Sequence, residues 1–249
     1  MKRSLSDYVS TGSVSGRRRF LKTAWGMCVA TPAASWALQF SRGRSALRKE
    51  ERDRMTPRQV IEELKKGNER FRSGNMVARD YRAQQQATAG GQYPAAVVLG
   101  CIDSRAPAET IFDAGIGDTF NARIAGNVAD DDMLGSMEFA CSVAGAKVAL
   151  VFGHTACGAI KGAIDDVEMG NLTGLLSRIK PAIAATKFDG QKSSKNPVYV
   201  DAVARTNVLM VCDDVRRRSP ILEDLEKKGS IQIAGALYDL GTGKVEFVG

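Results

Sequence analysis

The one histidine among 249 residues, His154, stands three positions before Cys157 in the stretch VFGHTACGAI. A second cysteine, Cys101, opens the stretch CIDSR, which sets Asp103 and then Arg105 at two-residue steps behind it. One imidazole and two thiolates form a three-ligand set for zinc, of the kind that leaves a fourth position for water. Sulfur ligands argue against magnesium or calcium, which take oxygen. Asp103 has two options here. It can coordinate the metal as a fourth ligand, or it can form a bidentate pair with Arg105 and leave the metal open. Zinc lowers the pKa of a bound water from 15.7 to about 7, so hydroxide becomes available near neutrality.

The elements that must position these residues are legible from periodicity. YPAAVVLG and KVALVFG are short, continuous apolar runs, read as buried parallel strands. Cys101 directly follows the first and His154 directly follows the second, so both sit at strand carboxyl ends, where open α/β sheets place their chemistry. Cys157 opens the next helix, whose N-terminus favours a thiolate. Residues 118–124 are a further strand, and residues 230–248 close the chain as two strands joined by a Gly-Thr-Gly turn. Helices are expected from Thr56-Pro57 to Gly67 or Gly74, over residues 130–146 with Asp131 or Asp132 as the cap, over NLTGLLSRIKPAIAATK, from Pro197 through Arg218, and over SPILEDLEKKG. The alternation implies an α/β fold with a mainly parallel central sheet, flanking helices and a C-terminal antiparallel strand. Cys141 and Cys212 fall on apolar stripes at helical spacing and read as small buried hydrophobes rather than ligands. Asp130, Asp131 and Asp132 read as a solvated cap rather than a second metal site.

Cys-x-Asp-x-Arg followed some fifty residues later by His-x-x-Cys resembles the β-class carbonic anhydrases. EELKKGNERF, ARIAGN, GSMEFA and GALYDLGTGKVEF follow that family's order, so the resemblance spans residues 56–248. It implies one zinc ion per chain held by Cys101, His154 and Cys157, with Asp103 and Arg105 as a switching dyad. Asp103 matches a position that occupies the fourth zinc site in closed forms at lower pH, and Gln92 matches a glutamine that hydrogen-bonds substrate. The implied reaction is reversible hydration of carbon dioxide to bicarbonate and a proton, in a homodimer or dimer of dimers. Two alternatives stand beside it: hydrolysis of carbonyl sulfide or carbon disulfide on the same site, and a non-catalytic zinc or bicarbonate-binding protein.

Charge is distributed unevenly. Residues 1–54 hold 12 Lys/Arg and 4 Asp/Glu, a balance of +8; the other 195 hold 23 and 24, a balance of −1, which together give the net +7. The body therefore has no overall basic excess, and no nucleic-acid partner is expected. Residues 1–45 read as a leader: SGRRRFLK followed by a short apolar run resembles a twin-arginine export signal, with Arg17-Arg18 at its head. Passage through export machinery and a periplasmic mature form follow, with an uncleaved membrane anchor facing the periplasm as the alternative. Residues 46–55 are polar and read as a linker to a single zinc-binding catalytic domain over 56–249.

Overall fold

The computed structural model describes residues 46–249. The expected leader, with its Arg17-Arg18 pair and Cys28, lies outside them. Five strands, β1 (Ala96–Gly100), β2 (Thr119–Arg123), β3 (Val148–His154), β4 (Gln232–Tyr238) and β5 (Val245–Val248), form one sheet in the order β2-β1-β3-β4-β5. All neighbours are parallel except the β4-β5 pair. Every residue of β1 and β3 is buried, which is why both run as unbroken apolar stretches instead of alternating. The α/β architecture matches the sequence reading. Among the described residues no helix is long and apolar enough to cross a membrane.

Helices cover both faces. The helices are α1 (Lys49–Arg54), α2 (Pro57–Ser73), α3 (Tyr81–Thr88), α4 (Ala108–Ile111), α5 (Asp131–Glu138), α6 (Gly158–Ile164), α7 (Gly170–Ser177), α8 (Lys180–Ala185), α9 (Pro197–Arg218) and α10 (Pro220–Lys227). One core joins Leu99 and Val151 of the sheet to Met137, Val208, Val215 and Leu222. The core on the opposite face joins Val98, Leu150 and Phe152 to Val60, Leu64, Ile111 and Phe112. A third cluster, with Cys101, Cys157, Ile160, Ile179, Tyr199 and Val203, closes over the carboxyl ends of the strands. Cys141 and Cys212 are buried in the first core, and burial pushes both thiols up to about 12.

Three local expectations need correction, and one element lies where no element was expected. Residues 46–55 are not a free linker. They carry α1, and its Arg52 is only 4% exposed, with its guanidinium on the Ala144 carbonyl and on Asp53. A polar composition hid this docking, because the anchoring side chain is itself an arginine. The polar stretch 75–93 contains α3, capped by Asp80, whose Gln84 is buried and accepts from the Ile116 amide at 3.1 Å. The helix beginning near residue 131 is capped by Asp130, one residue earlier than expected, through the Met133 amide at 2.8 Å. The stretch from residue 171 to 187 is two helices: Pro181 supplies no amide to continue the bonding of the first, and sits in the first turn of the second.

Gly67 and Gly74 were both possible ends of α2. The helix runs through the first and stops at the second, where Gly74 adopts φ 71. Gly67 exists for a close approach: a Cβ there would lie 1.9 Å from the Phe112 carbonyl oxygen. A helical glycine replaced by alanine ordinarily gains about 1 kcal/mol. Here the clash is with backbone, so Gly67→Ala is expected to lose about 3 kcal/mol in urea denaturation.

Asp118 is 1% exposed and lies beside the amino end of β2. Its Oδ2 accepts from the Gly115 amide at 2.7 Å, while Oδ1 has no partner among the described residues. Burial pushes its pKa up to about 6, against the pull of the Gly115 and Leu47 amides. The folded state thus holds this proton more tightly than the unfolded chain, whose carboxyl titrates near 3.9. Stability is therefore lost as pH rises through that interval and levels off above the folded value. Asp118→Asn is expected to be the more stable protein at neutral pH, and its advantage should grow by about 1 kcal/mol between pH 5 and 7.5. Denaturation curves for both proteins at the two pH values measure that change.

Candidate metal centre

The register of β1 on β3 builds the site. Gly100 pairs with Phe152, so Cys101, the next residue, emerges beside the tip of β3, whose last residue is His154. Cys157 is the residue that caps α6, three positions on. The Sγ atoms of Cys101 and Cys157 and a ring nitrogen of His154 lie within 4.8 Å of one another, and all three residues are buried. The sequence reading had placed His154 just past its strand, whereas it ends the strand and shares the strand's rigidity.

The donor atoms suit a cation. His154 Nδ1 lies 2.9 Å from the Thr155 carbonyl, which fixes the proton on Nδ1 and leaves a lone pair on Nε2. That Nε2 is buried and has no hydrogen-bond partner among the described residues. An orphaned ring nitrogen facing two sulfurs is what a metal ligand looks like when read from the protein alone. Burial on its own would lower the His154 pKa, but the neighbouring Cys101 sulfur outweighs it and raises it. The two thiols oppose each other. The Cys157 thiol's hydrogen bond draws Cys101 down, with His154 and the Gly126 amide helping. The same bond, together with burial, pushes Cys157 up. A dication between them would hold both as thiolates.

Of the two options open to Asp103, the structure shows the pair. Arg105 donates from Nε to Oδ1 at 3.0 Å and from Nη2 to Oδ2 at 2.8 Å, and the Arg105 amide donates to Oδ1 at 3.0 Å. The guanidinium holds the Asp103 carboxyl well below the usual carboxylate range. Its Oδ2 stays 3.8 Å from His154 Nε2, so the carboxylate borders the metal position without being drawn from Arg105. Gln92 is not brought to this cluster. It is exposed and precedes β1, while Cys101 follows it; the five-residue strand alone spans roughly 16 Å. Within one chain Gln92 therefore lies at the far end of β1 from the Cys101, His154 and Cys157 cluster.

The structure adds residues to which the sequence reading assigned no role. Arg123 donates to the Cys101 carbonyl at 2.9 Å and to the Asp103 carbonyl at 2.5 Å, tying the CIDSR turn to β2. Asp201 accepts from the Ala156 amide at 2.8 Å and steadies a residue at φ 54 between two ligands. The Gly126 amide donates to Cys101 Sγ at 3.3 Å, and Asn207 donates to the Gly126 carbonyl at 2.9 Å. Only a weak signal existed for the last: Asn207 interrupts the apolar stripe of its helix at a buried position.

Comparison with known proteins agrees with this geometry. A family model described as carbonic anhydrase matches residues 96–245. Carbonic anhydrase 2 of Mycobacterium tuberculosis is 35% identical over 187 residues, covering 73% of this chain and 87% of that protein. A tetrameric β-carbonic anhydrase structure from Sordaria macrospora is 27% identical, with TM-score 0.57, over 65% of this chain and 83% of that one. The chain belongs to the β-class carbonic anhydrase family. The Coccomyxa β-carbonic anhydrase in complex with acetazolamide is similarly placed, at 25% identity and TM-score 0.58, over 77% of this chain and 82% of that one. The β-class carbonic anhydrases are zinc enzymes, and the Cys101, His154 and Cys157 cluster of this member fits that ion.

Replacing a sulfur with an oxygen leaves a weaker, harder donor in a site shaped for thiolates. Cys157→Ser is expected to lower zinc content from one ion per chain to a small fraction after dialysis, measured by metal analysis, while the fold survives. Retention of stoichiometric zinc would contradict the ligand assignment.

Proposed function

We infer that this chain catalyses reversible hydration of carbon dioxide to bicarbonate and a proton. The observation that carries the reading is a buried, unpartnered His154 Nε2 facing two cysteines beside a carboxylate already claimed by an arginine. Zinc, when bound, supplies the Lewis acidity that lets water lose a proton near neutral pH. The chain's own groups do the rest. Cys101 and Cys157 bring two negative charges, and the Thr155 carbonyl holds the imidazole in the tautomer that presents Nε2. Arg105 keeps Asp103 ionised, so its carboxylate can only accept a hydrogen bond and orients an attacking oxygen by its proton. Arg123 and the Arg105 amide fix the position of that carboxylate from behind. With His154 spent as a ligand and no other histidine in the chain, protons must leave through external buffer, water chains or an acidic or phenolic group.

We also propose a homodimer or dimer of dimers. Strand β2 is an open sheet edge, and Ile116 and Phe139 expose apolar surface. The Sordaria relative is described as tetrameric. Gln92 could then serve a metal centre only in another copy of the chain. For residues 1–45 the reading rests on sequence: the Arg17-Arg18 signal pattern supports twin-arginine export to the periplasm.

Stopped-flow hydration of carbon dioxide by the full chain with stoichiometric zinc tests the central reading. Turnover is expected to rise with buffer concentration until another step limits it. No acceleration over buffer alone would overturn the assignment, and hydrolysis of carbonyl sulfide in its place would redirect it. Rates indifferent to buffer would refute external proton release.

A further inference from the structure

The Cys101 sulfur has a neighbour that is neither a ligand nor part of the Asp103 and Arg105 pair. The Gly126 amide points at Sγ from 3.3 Å. Gly126 sits at φ 69, and a Cβ there would meet Ile179 at 2.7 Å and Ala159 at 3.3 Å. Only glycine fits, and glycine is the residue whose backbone turns most freely. Something must hold the peptide so that its amide stays on the sulfur. Asn207, from the middle of α9, does so from the other side. It is 2% exposed, and its Nδ2 donates to the Gly126 carbonyl at 2.9 Å. The amide and the carbonyl belong to neighbouring peptide groups that meet at the Gly126 Cα, so fixing the carbonyl from α9 restricts the rotation about φ and ψ that would carry the amide off the metal-facing sulfur.

We infer that Asn207 is a positioning residue that keeps the Gly126 amide on the Cys101 sulfur and so sets how strongly that sulfur donates to the metal. The inference rests on the zinc assignment of the proposed function. An N–H bonded to a thiolate withdraws electron density from it, and partners behind the first ligands tune both affinity and electronic character. With the carbonyl unpinned, the Gly126 amide swings off the sulfur, and Cys101 becomes both a more electron-rich donor and a less well-placed one.

The test uses the full chain loaded with cobalt(II), whose sulfur-to-metal charge-transfer bands report thiolate donor strength, and zinc affinity measured by competition with a chelator. Asn207→Leu keeps the side chain's size and removes its donor. It is expected to shift the charge-transfer band to lower energy and to weaken zinc binding about 10- to 100-fold. Val215→Ala, a buried change two turns along the same helix, serves as the matched control for lost packing. It should leave both readouts as in the parent protein. Asn207→Ala removes the same donor with a smaller side chain and should move the band in the same direction, which covers the case where the leucine variant does not fold. Band positions and zinc affinities unchanged in the Asn207 variants, or moved equally by Val215→Ala, would overturn the role of Asn207. A parent protein that takes up neither cobalt nor zinc would instead defeat the metal assignment on which it rests.

Discussion

The pairing of β1 with β3 is the constraint from which the site follows. Cys101 and His154 are 53 positions apart in sequence, and neither side chain reaches far. Their meeting is decided by which residues of the two strands lie side by side, and that register is Gly100 on Phe152. A slip by one residue would turn every side chain of β1 to the other face of the sheet. The apolar residues of β1 feed two different cores, Val97 and Leu99 on one face and Val98 on the other, so such a slip has to exchange the packing of both. Ordinary hydrophobic burial thus fixes the separation of two metal ligands, and the precision of the site is inherited from the sheet.

Charge is managed differently at the two ends of that sheet. Around the amino ends, Asp113 is fully buried and met by both Arg70 and Arg79, while Asp118 is buried with one oxygen unpaired. Around the carboxyl ends, no arginine or lysine among the described residues donates a hydrogen bond to either sulfur. The thiolates are served by amides of Gly126 near Cys101 and of Ala159 and Ile160 near Cys157. The Arg105 guanidinium is committed to Asp103, and that of Arg123 to the Cys101 and Asp103 carbonyls. Amides moderate a thiolate without cancelling its charge, so with a dication bound the negative charge of both sulfurs would act on it. A lysine or arginine at the same place would compete with the metal for them.

Much of this was readable before any coordinates. The continuity of AAVVLG and VALVF marked buried parallel strands, and the cysteine and histidine at their ends pointed to one centre. What stayed hidden shares a physical character. Arg52 is a charged residue that anchors a helix, Gln84 is a polar residue in a core, and Asn207 is an amide on an apolar stripe. Each is buried because a specific backbone group lies opposite, and such pairings across 92, 32 and 81 positions leave no trace in local periodicity. Asp103 illustrates the same limit at the site. Spacing allowed either coordination or a guanidinium pair, and only the three hydrogen bonds from Arg105 distinguish them.

Helix α9 explains why the site is not a detachable feature of the surface. One face of this 22-residue helix is buried along its length, and it enters two cores in turn. Tyr199, Val200, Val203 and Ala204 pack in the cluster that includes Cys101 and Cys157. Val208, Val211 and Val215 pack against the sheet itself. Asp201 and Asn207, spaced six residues apart along this helix, reach the two loops that flank the ligands, at Ala156 and at Gly126. A helix seated by one core and gripping loops in the other cannot shift at one end without straining the other. The donor set is held as one body with the sheet, which is what a site needs if it is to keep ligand geometry fixed while substrate and product exchange beside it.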